Sequence, residues 1–286
     1  MTTAFVLSGG CSLGAIQVGM LQALADQQIT PDLLVGTSAG ALNATFVAGH
    51  GATRADIDRL AGVWAGLRVR SLFPIDPRLA LHALHGGGSA LCSDRGLRRL
   101  VRSQLSFARL EDAPIPVHVV TTDLLTGREV VLAAGDATSA ILASCAIPGV
   151  FPAVSHRGLT LVDGGLADNT AVSAAVAAGA ETIYVLPAGF ACALRTPPHS
   201  PIAAAAQALT VLTQQRLIAD LALYADRVDL VVVPPPCPLD VPALDFGHAP
   251  ELIRRAHETA VAWLARDGGR RTDPAASIAL HGHDAG

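Results

Sequence analysis

The stretch Leu34-Val35-Gly36-Thr37-Ser38-Ala39-Gly40-Ala41-Leu42-Asn43 constrains the fold more than any other part of the chain. A buried apolar strand runs into Gly-x-Ser-x-Gly and then into an Ala-rich helix, the layout of a nucleophile elbow. There the serine sits on a strained strand-to-helix turn with its hydroxyl exposed, while Gly36 and Gly40 allow backbone crowding that side chains would block. The helix start behind Ser38 also favours developing negative charge. A short pattern with three fixed positions is weak by itself in a chain holding 27 glycines. Its surroundings decide its meaning.

Upstream, residues 4–7 form a short apolar run that ends at Ser8-Gly9-Gly10 and reads as a buried first strand. Ile16, Met20, Leu21 and Leu24 then follow at helical spacing up to about Gln27, and residues 33–35 make the second strand. Strand, helix and strand this close together form a βαβ unit, so the two strands should be parallel neighbours with a right-handed crossover. Helices are expected over 39–48, 54–66, 94–105, 137–145, 201–224 and 249–265. Further strands are expected over 117–121, 128–132, 159–162, 182–186 and 228–233. Alternating strands and helices make an α/β domain with a mostly parallel sheet. Residues 69–91, with Pro74, Pro77 and Gly86-Gly87-Gly88, read as a long loop or a lid beside the site. The stretch beyond Asp267 has no periodicity and reads as a disordered tail.

Composition removes several function classes. All 20 basic residues are arginine, which excludes Schiff-base chemistry and a lysine-dependent phosphate loop. A net charge of −4 and a pI near 6.2 give no electrostatic case for a nucleic-acid partner. Five scattered cysteines argue for reduced thiols and a cytoplasmic location. The start lacks a basic region ahead of its apolar run and does not read as a secretory signal. The ten histidines show no metal-ligand spacing, and no cofactor is implied.

The glycine loop Gly9-Gly10-Cys11-Ser12-Leu13-Gly14 follows a strand and opens a helix, so its backbone N–H groups can form an anion nest. Cys11 stands where a dinucleotide fingerprint needs glycine, and Gly14-Ala15-Ile16 lacks the Gly-Lys-Ser/Thr of a Walker loop. An oxyanion hole fits better, because acyl transfer needs only N–H donors facing a tetrahedral intermediate. Far downstream, four strand-forming residues end in Asp163-Gly164-Gly165, and carboxylates just past strand ends are where open α/β sheets place their chemistry. Asp168 and Asn169 read as caps of the next helix, and Asp123 as a turn residue.

Glycine loop, elbow serine and distant Asp-Gly-Gly, in that order, resemble the patatin-like phospholipase family, acyl hydrolases with a Ser–Asp dyad and no catalytic histidine. The likeness spans residues 4–178, as a catalytic core, with 179–266 as a C-terminal α/β extension on the same domain and 267–286 as the tail. Ser8-Gly9-Gly10 with Gly14 matches the glycine-rich loop, and residues 36–43 match the nucleophile motif. Residues 143–152 look like the loop before the base, and Val162-Asp163-Gly164-Gly165 matches the base motif. The resemblance implies a three-layer α/β/α fold, Ser38 as nucleophile, Asp163 as base, and the amides of Gly9, Gly10 and Cys11 as oxyanion donors. Two positions depart from the family: Cys11 stands where glycine is usual, and Leu13 where many members carry arginine or lysine. A lipid acyl ester is the implied substrate, with residues 79–91 a candidate for contact with substrate or bilayer.

Two other readings compete. An α/β-hydrolase triad could be built from Ser38, Asp163 and His248, with His199 and His257 also downstream, but only one clear strand precedes the elbow strand. A non-catalytic lipid-binding protein could keep the same pocket.

Overall fold

β1 (Thr3–Leu7) and β2 (Leu33–Thr37) are parallel neighbours joined through α1 (Gly14–Asp26), so the predicted βαβ unit forms. The computed structural model describes residues 1–74, 76, 81, 85, 90–189, 197, 199, 201–239, 241–266 and 273–278. After β2 come α2 (Ala39–His50) and α3 (Arg54–Gly66), the latter opened by a capping box between Thr53 and Asp56. Of the loop read over 69–91, the first residues form a short helix, α4 (Val69–Leu72), and Gly86-Gly87-Gly88 lies outside the described residues. Then follow α5 (Arg95–Gln104), β3 (Val117–Asp123), β4 (Glu129–Leu132), α6 (Ala137–Ser144), β5 (Val154–His156), β6 (Leu159–Asp163) and α7 (Val172–Ala177). β7 (Thr182–Leu186), α8 (Pro201–Tyr224), β8 (Asp229–Val232) and α9 (Ala249–Leu264) complete the α/β core.

The eight strands form one sheet in the order β5-β6-β3-β2-β1-β7-β8, with β4 also against β3. β3, β2, β1, β7 and β8 are mutually parallel, while β4, β5 and β6 join antiparallel. Strands in the parallel part are buried on both faces, which is why they read as continuous apolar runs. Phe5, Leu7, Leu34 and Leu186 pack with α1, α2, α3 and α9 on one face. Ala4, Val6, Val35 and Val185 pack with α7 and α8 on the other. Helices on both sides of a mostly parallel sheet make the expected three-layer α/β/α architecture.

The β5–β6 hairpin differs from the sequence reading, which left residues 150–158 as loop and turn. Arg157 and Gly158 both adopt positive φ, 48° and 85°, the backbone that a two-residue hairpin turn requires. Beyond Asp267, Pro274–Ile278 forms a 3-10 turn, where the sequence suggested disorder. Ile278 is buried against the α8 side of the sheet, and Gln214 Nε2 donates to its carbonyl at 2.8 Å. Residues 267–272 and 279–286 of that tail lie outside the described residues.

One detail of register positions the site. β2 and β4 both pair with Val119 and Val120, so they lie on opposite edges of β3. β4 and β6 both pair with Thr121 and Thr122, so β6 shares the edge of β2. The two strands therefore approach from opposite directions and end head to head against β3.

Candidate active site

Ser38 is the residue at which β2 turns into α2, and its backbone sits at φ 53°, ψ −118°. Positive φ is strained for a residue with a Cβ, and such strain persists only where the surroundings fix it. Here Ser144 at the end of α6 fixes it: the Ser38 amide donates to Ser144 Oγ at 2.8 Å, and that hydroxyl donates to Val120 O at 2.6 Å. The elbow also needs close packing. A Cβ on Gly36 would lie 2.5 Å from Gly40 O, and one on Gly40 would overlap the Leu7 carbonyl.

Asp163 ends β6, and Ser38 Oγ donates to its Oδ2 at 2.7 Å. Its Oδ1 accepts from Gly165 N at 2.8 Å, and Thr122 Oγ1 holds its carbonyl at 2.9 Å. The side chain is 8% exposed. Burial raises its pKa to about 6, against the lowering effect of the bonds from Ser38 and Gly165. A carboxylate with that pKa, in direct contact with a hydroxyl, can accept its proton near neutral pH.

The glycine loop lies against this pair, since a Cβ on Gly9 would stand 3.2 Å from Ser38 Cβ. Its anchors are polar and buried. Gln17 Nε2 donates to Ser8 O at 2.8 Å and to Leu186 O at 3.0 Å, and Asn43 Nδ2 donates to Gln17 Oε1 at 2.8 Å. Gly9 is a correction to the sequence reading. Its amide donates to Asn169 O at 3.1 Å, so it is not free for a ligand. The amides of Gly10 and Cys11 have no acceptor among the described residues, and they are the loop's open donors. Cys11 reaches its place at φ 50°, a conformation that favours glycine.

Asn169 was not found from sequence. Read as a helix cap, it instead returns to the glycine loop, where its Nδ2 donates to Gly9 O at 3.3 Å. α7 is capped at Ala171 without a side-chain bond. Asp168 makes an Asx turn, accepting from Thr170 N at 3.0 Å, and also accepts from Ser173 Oγ at 3.3 Å. Ser144 was quoted within a motif but given no role; the signal was a hydroxyl at the end of an otherwise apolar, buried helical run. Asp123 is a turn residue as read, accepting from Thr126 Oγ1 at 2.7 Å.

A small apolar pocket opens beside Ser38, lined by Cys11, Leu42, Trp64, Phe73, Phe151 and Phe246 among others. Burial, with the Asp163 charge as a smaller cause, pushes the Cys11 thiol up to about 12, so it stays protonated. A second small pocket shares Leu42, Trp64 and Leu67 with the first and continues beneath Leu100 and Val101 of α5. Among the described residues no histidine hydrogen-bonds Ser38 or Asp163. His248 pairs with Asp245 and Glu251 on the surface, and His257 Nε2 lies 2.7 Å from Asp26 Oδ2. No group of three His, Cys, Asp or Glu among the described residues could hold a metal.

The family model for the patatin-like phospholipase matches residues 5–176, which include the glycine loop, the elbow and the Asp-Gly-Gly turn. The chain belongs to the patatin-like phospholipase family. Lysophospholipase NTE1 of Mycosarcoma maydis is 28% identical over 198 residues, covering 66% of this chain and 10% of that protein. An uncharacterized NTE family protein of Mycobacterium tuberculosis is 31% identical over 166 residues, covering 57% of this chain and 26% of that protein. This family member thus spans between a tenth and about a quarter of the length of those relatives. VipD from Legionella pneumophila shares its fold, with a TM-score of 0.52 at 14% identity over 92% of this chain and 66% of that one. No helix among the described residues is long and apolar enough to cross a membrane.

Proposed function

We propose that this patatin-like chain is a lipid acyl hydrolase of the carboxylic ester hydrolase type, working through a Ser38–Asp163 dyad. The observation that carries the reading is the 2.7 Å contact between Ser38 Oγ and Asp163 Oδ2 at the wall of an apolar cavity. Asp163 takes the Ser38 proton as Oγ attacks the ester carbonyl carbon. The amides of Gly10 and Cys11 stabilise the resulting oxyanion. Collapse of that intermediate expels the alcohol, which receives the proton from Asp163, and leaves the acyl chain on Ser38. Water, deprotonated by the same carboxylate, then attacks the acyl-enzyme and releases the fatty acid.

The pocket supports a lipid substrate, since it offers an acyl chain apolar walls and offers a sugar or peptide few polar partners. The lysophospholipase relatives support a single-chain phospholipid as the first substrate to test. The test is hydrolysis of p-nitrophenyl esters of increasing chain length, followed by a lysophospholipid and phospholipid panel. Release of fatty acid by the wild type and its loss in Ser38→Ala supports the reading. Lipid binding without turnover leaves a non-catalytic binding protein.

A further inference from the structure

The helix α5 carries two opposed stripes. Arg95, Arg98, Arg99 and Arg102 recur at i, i+3, i+4 and i+7, while Leu97, Leu100, Val101 and Gln104 repeat the same spacing on the other side. The second stripe faces inward: Leu97 lines the cavity at Ser38, and Leu100, Val101 and Gln104 line the adjoining one. The first stripe is a concentration of positive charge on a chain whose net charge is −4. Arg98 pairs with Asp94 at 2.6 Å, and the Asp136 carboxyl, held low chiefly by its hydrogen bonds from Ser139, also feels the charges of Arg102 and Arg98. Arg95 and Arg99 are exposed and have no ion pair among the described residues.

The surface continues beyond α5. A Cβ on Gly96 would overlap Ser71 O, so the α4 backbone crosses the first turn of α5. Exposed Arg68 and Arg70 flank Val69 there, beside an open cleft that Leu244 and Phe246 also line. Val69 and Leu244 are 40% and 55% exposed. Phe246 lines both this cleft and the Ser38 cavity, so cleft and cavity adjoin.

We infer that the α4–α5 face docks on an anionic lipid surface, with the basic stripe against the head groups and the exposed apolar side chains at the acyl boundary. The inference rests on the lipid acyl hydrolase reading. Charge complementarity selects the anionic surface, since polybasic helices with apolar neighbours lie in the plane of such interfaces. The opposite face of the same helix selects lipid over other polyanions, because it roofs the cavities that would receive the acyl chain. Docking there brings an acyl chain to the mouth of the cavity without a membrane-spanning element.

Vesicle co-sedimentation of the full chain tests this, comparing pure phosphatidylcholine with phosphatidylcholine containing phosphatidylserine. The wild type should bind the anionic vesicles far better than the neutral ones and lose binding as salt rises. Each arginine near such a surface contributes about fivefold in partitioning, so the triple variant R95Q/R99Q/R102Q should bind roughly a hundredfold more weakly. R95K/R99K/R102K keeps the charge and should bind near the wild-type level. Hydrolysis of a soluble short-chain ester should stay unchanged in both variants, which shows that the site is intact. Equal binding to neutral and anionic vesicles, or full binding by the glutamine variant, overturns the proposal. Binding to an RNA homopolymer without binding to anionic vesicles overturns it as well and assigns the face to a nucleic acid. Sedimentation needs no turnover, so a chain that binds vesicles yet hydrolyses no ester refutes the hydrolase reading alone.

Discussion

Thr37 and Asp163 occupy consecutive positions along one edge of β3, Thr37 opposite Val120 and Asp163 opposite Thr121, and they arrive from opposite directions. Because β2 and β6 end head to head, the next residue of β2, Ser38, meets the last residue of β6. The parallel strand supplies the hydroxyl and the antiparallel one the carboxylate. Backbone ladders on both sides hold the pair, so its spacing does not depend on a flexible loop.

Removing either member should cost four or more orders of magnitude in kcat, the scale on which catalytic nucleophiles act. Ser38→Ala and Asp163→Asn should fold normally, because an asparagine can still accept from Gly165 N and donate to Ser38 Oγ. Steady-state hydrolysis of a p-nitrophenyl ester, with circular dichroism of each variant, checks this.

Activity should rise with pH through about 6. As the proposed base, Asp163 must be ionised to take the proton, and burial holds its pKa near 6. The kcat/KM of the free enzyme should fall about tenfold per pH unit below that value and level off above it. A flat profile from pH 4 to 8 contradicts the assignment of Asp163 as base.

The same burial has a consequence for stability. Asp163 has a folded-state pKa above its ordinary value of 3.8, so the protonated form is the one the fold favours. Below about pH 4 both states hold the proton and nothing is lost. Between about pH 4 and 6 the unfolded chain releases this proton while the folded one keeps it, so stability falls by up to roughly 3 kcal/mol and is level above 6. Asp163→Asn should therefore raise Tm at pH 8 and leave it near the wild-type value at pH 4.

Asn169→Ala should lower kcat by about ten- to a hundredfold with little change in KM. Asn169 touches no reacting atom, but its side chain holds Gly9 O and thereby the loop that carries the Gly10 and Cys11 amides. A rise in KM with kcat intact would point to a role in substrate binding.

Cys11 should resist alkylation at pH 8, because a thiol with a pKa of about 12 is almost wholly protonated there. Exposed Cys237 should react first. Peptide mapping after iodoacetamide treatment, with activity measured on the same sample, distinguishes the two.

What the sequence made legible was local. The strand before each motif, the helix after the elbow and the Asp-Gly-Gly turn all leave patterns within a few residues, and each forms where read. The parallel core was legible too, because strands buried on both faces read as unbroken apolar runs. The parts missed depend on distant partners. Nothing near Asn169 or Gly9 reveals that the carbonyl of one takes the amide of the other across 160 residues. β5 is three residues long and exists because β6 pairs with it. Ile278 finds a buried site on the α8 side of the sheet, where its own neighbours carry no periodicity.

The central claim is that Ser38 is activated by Asp163 without a histidine. Reaction with a fluorophosphonate, followed by intact-mass spectrometry, tests it most directly. The wild type and His248→Ala should gain one adduct, mapped to Ser38, at similar rates. Ser38→Ala should gain none, and Asp163→Asn should react at least a thousandfold more slowly, the order of a lost general base. Labelling of Asp163→Asn at the wild-type rate, or its loss in His248→Ala, would contradict the dyad.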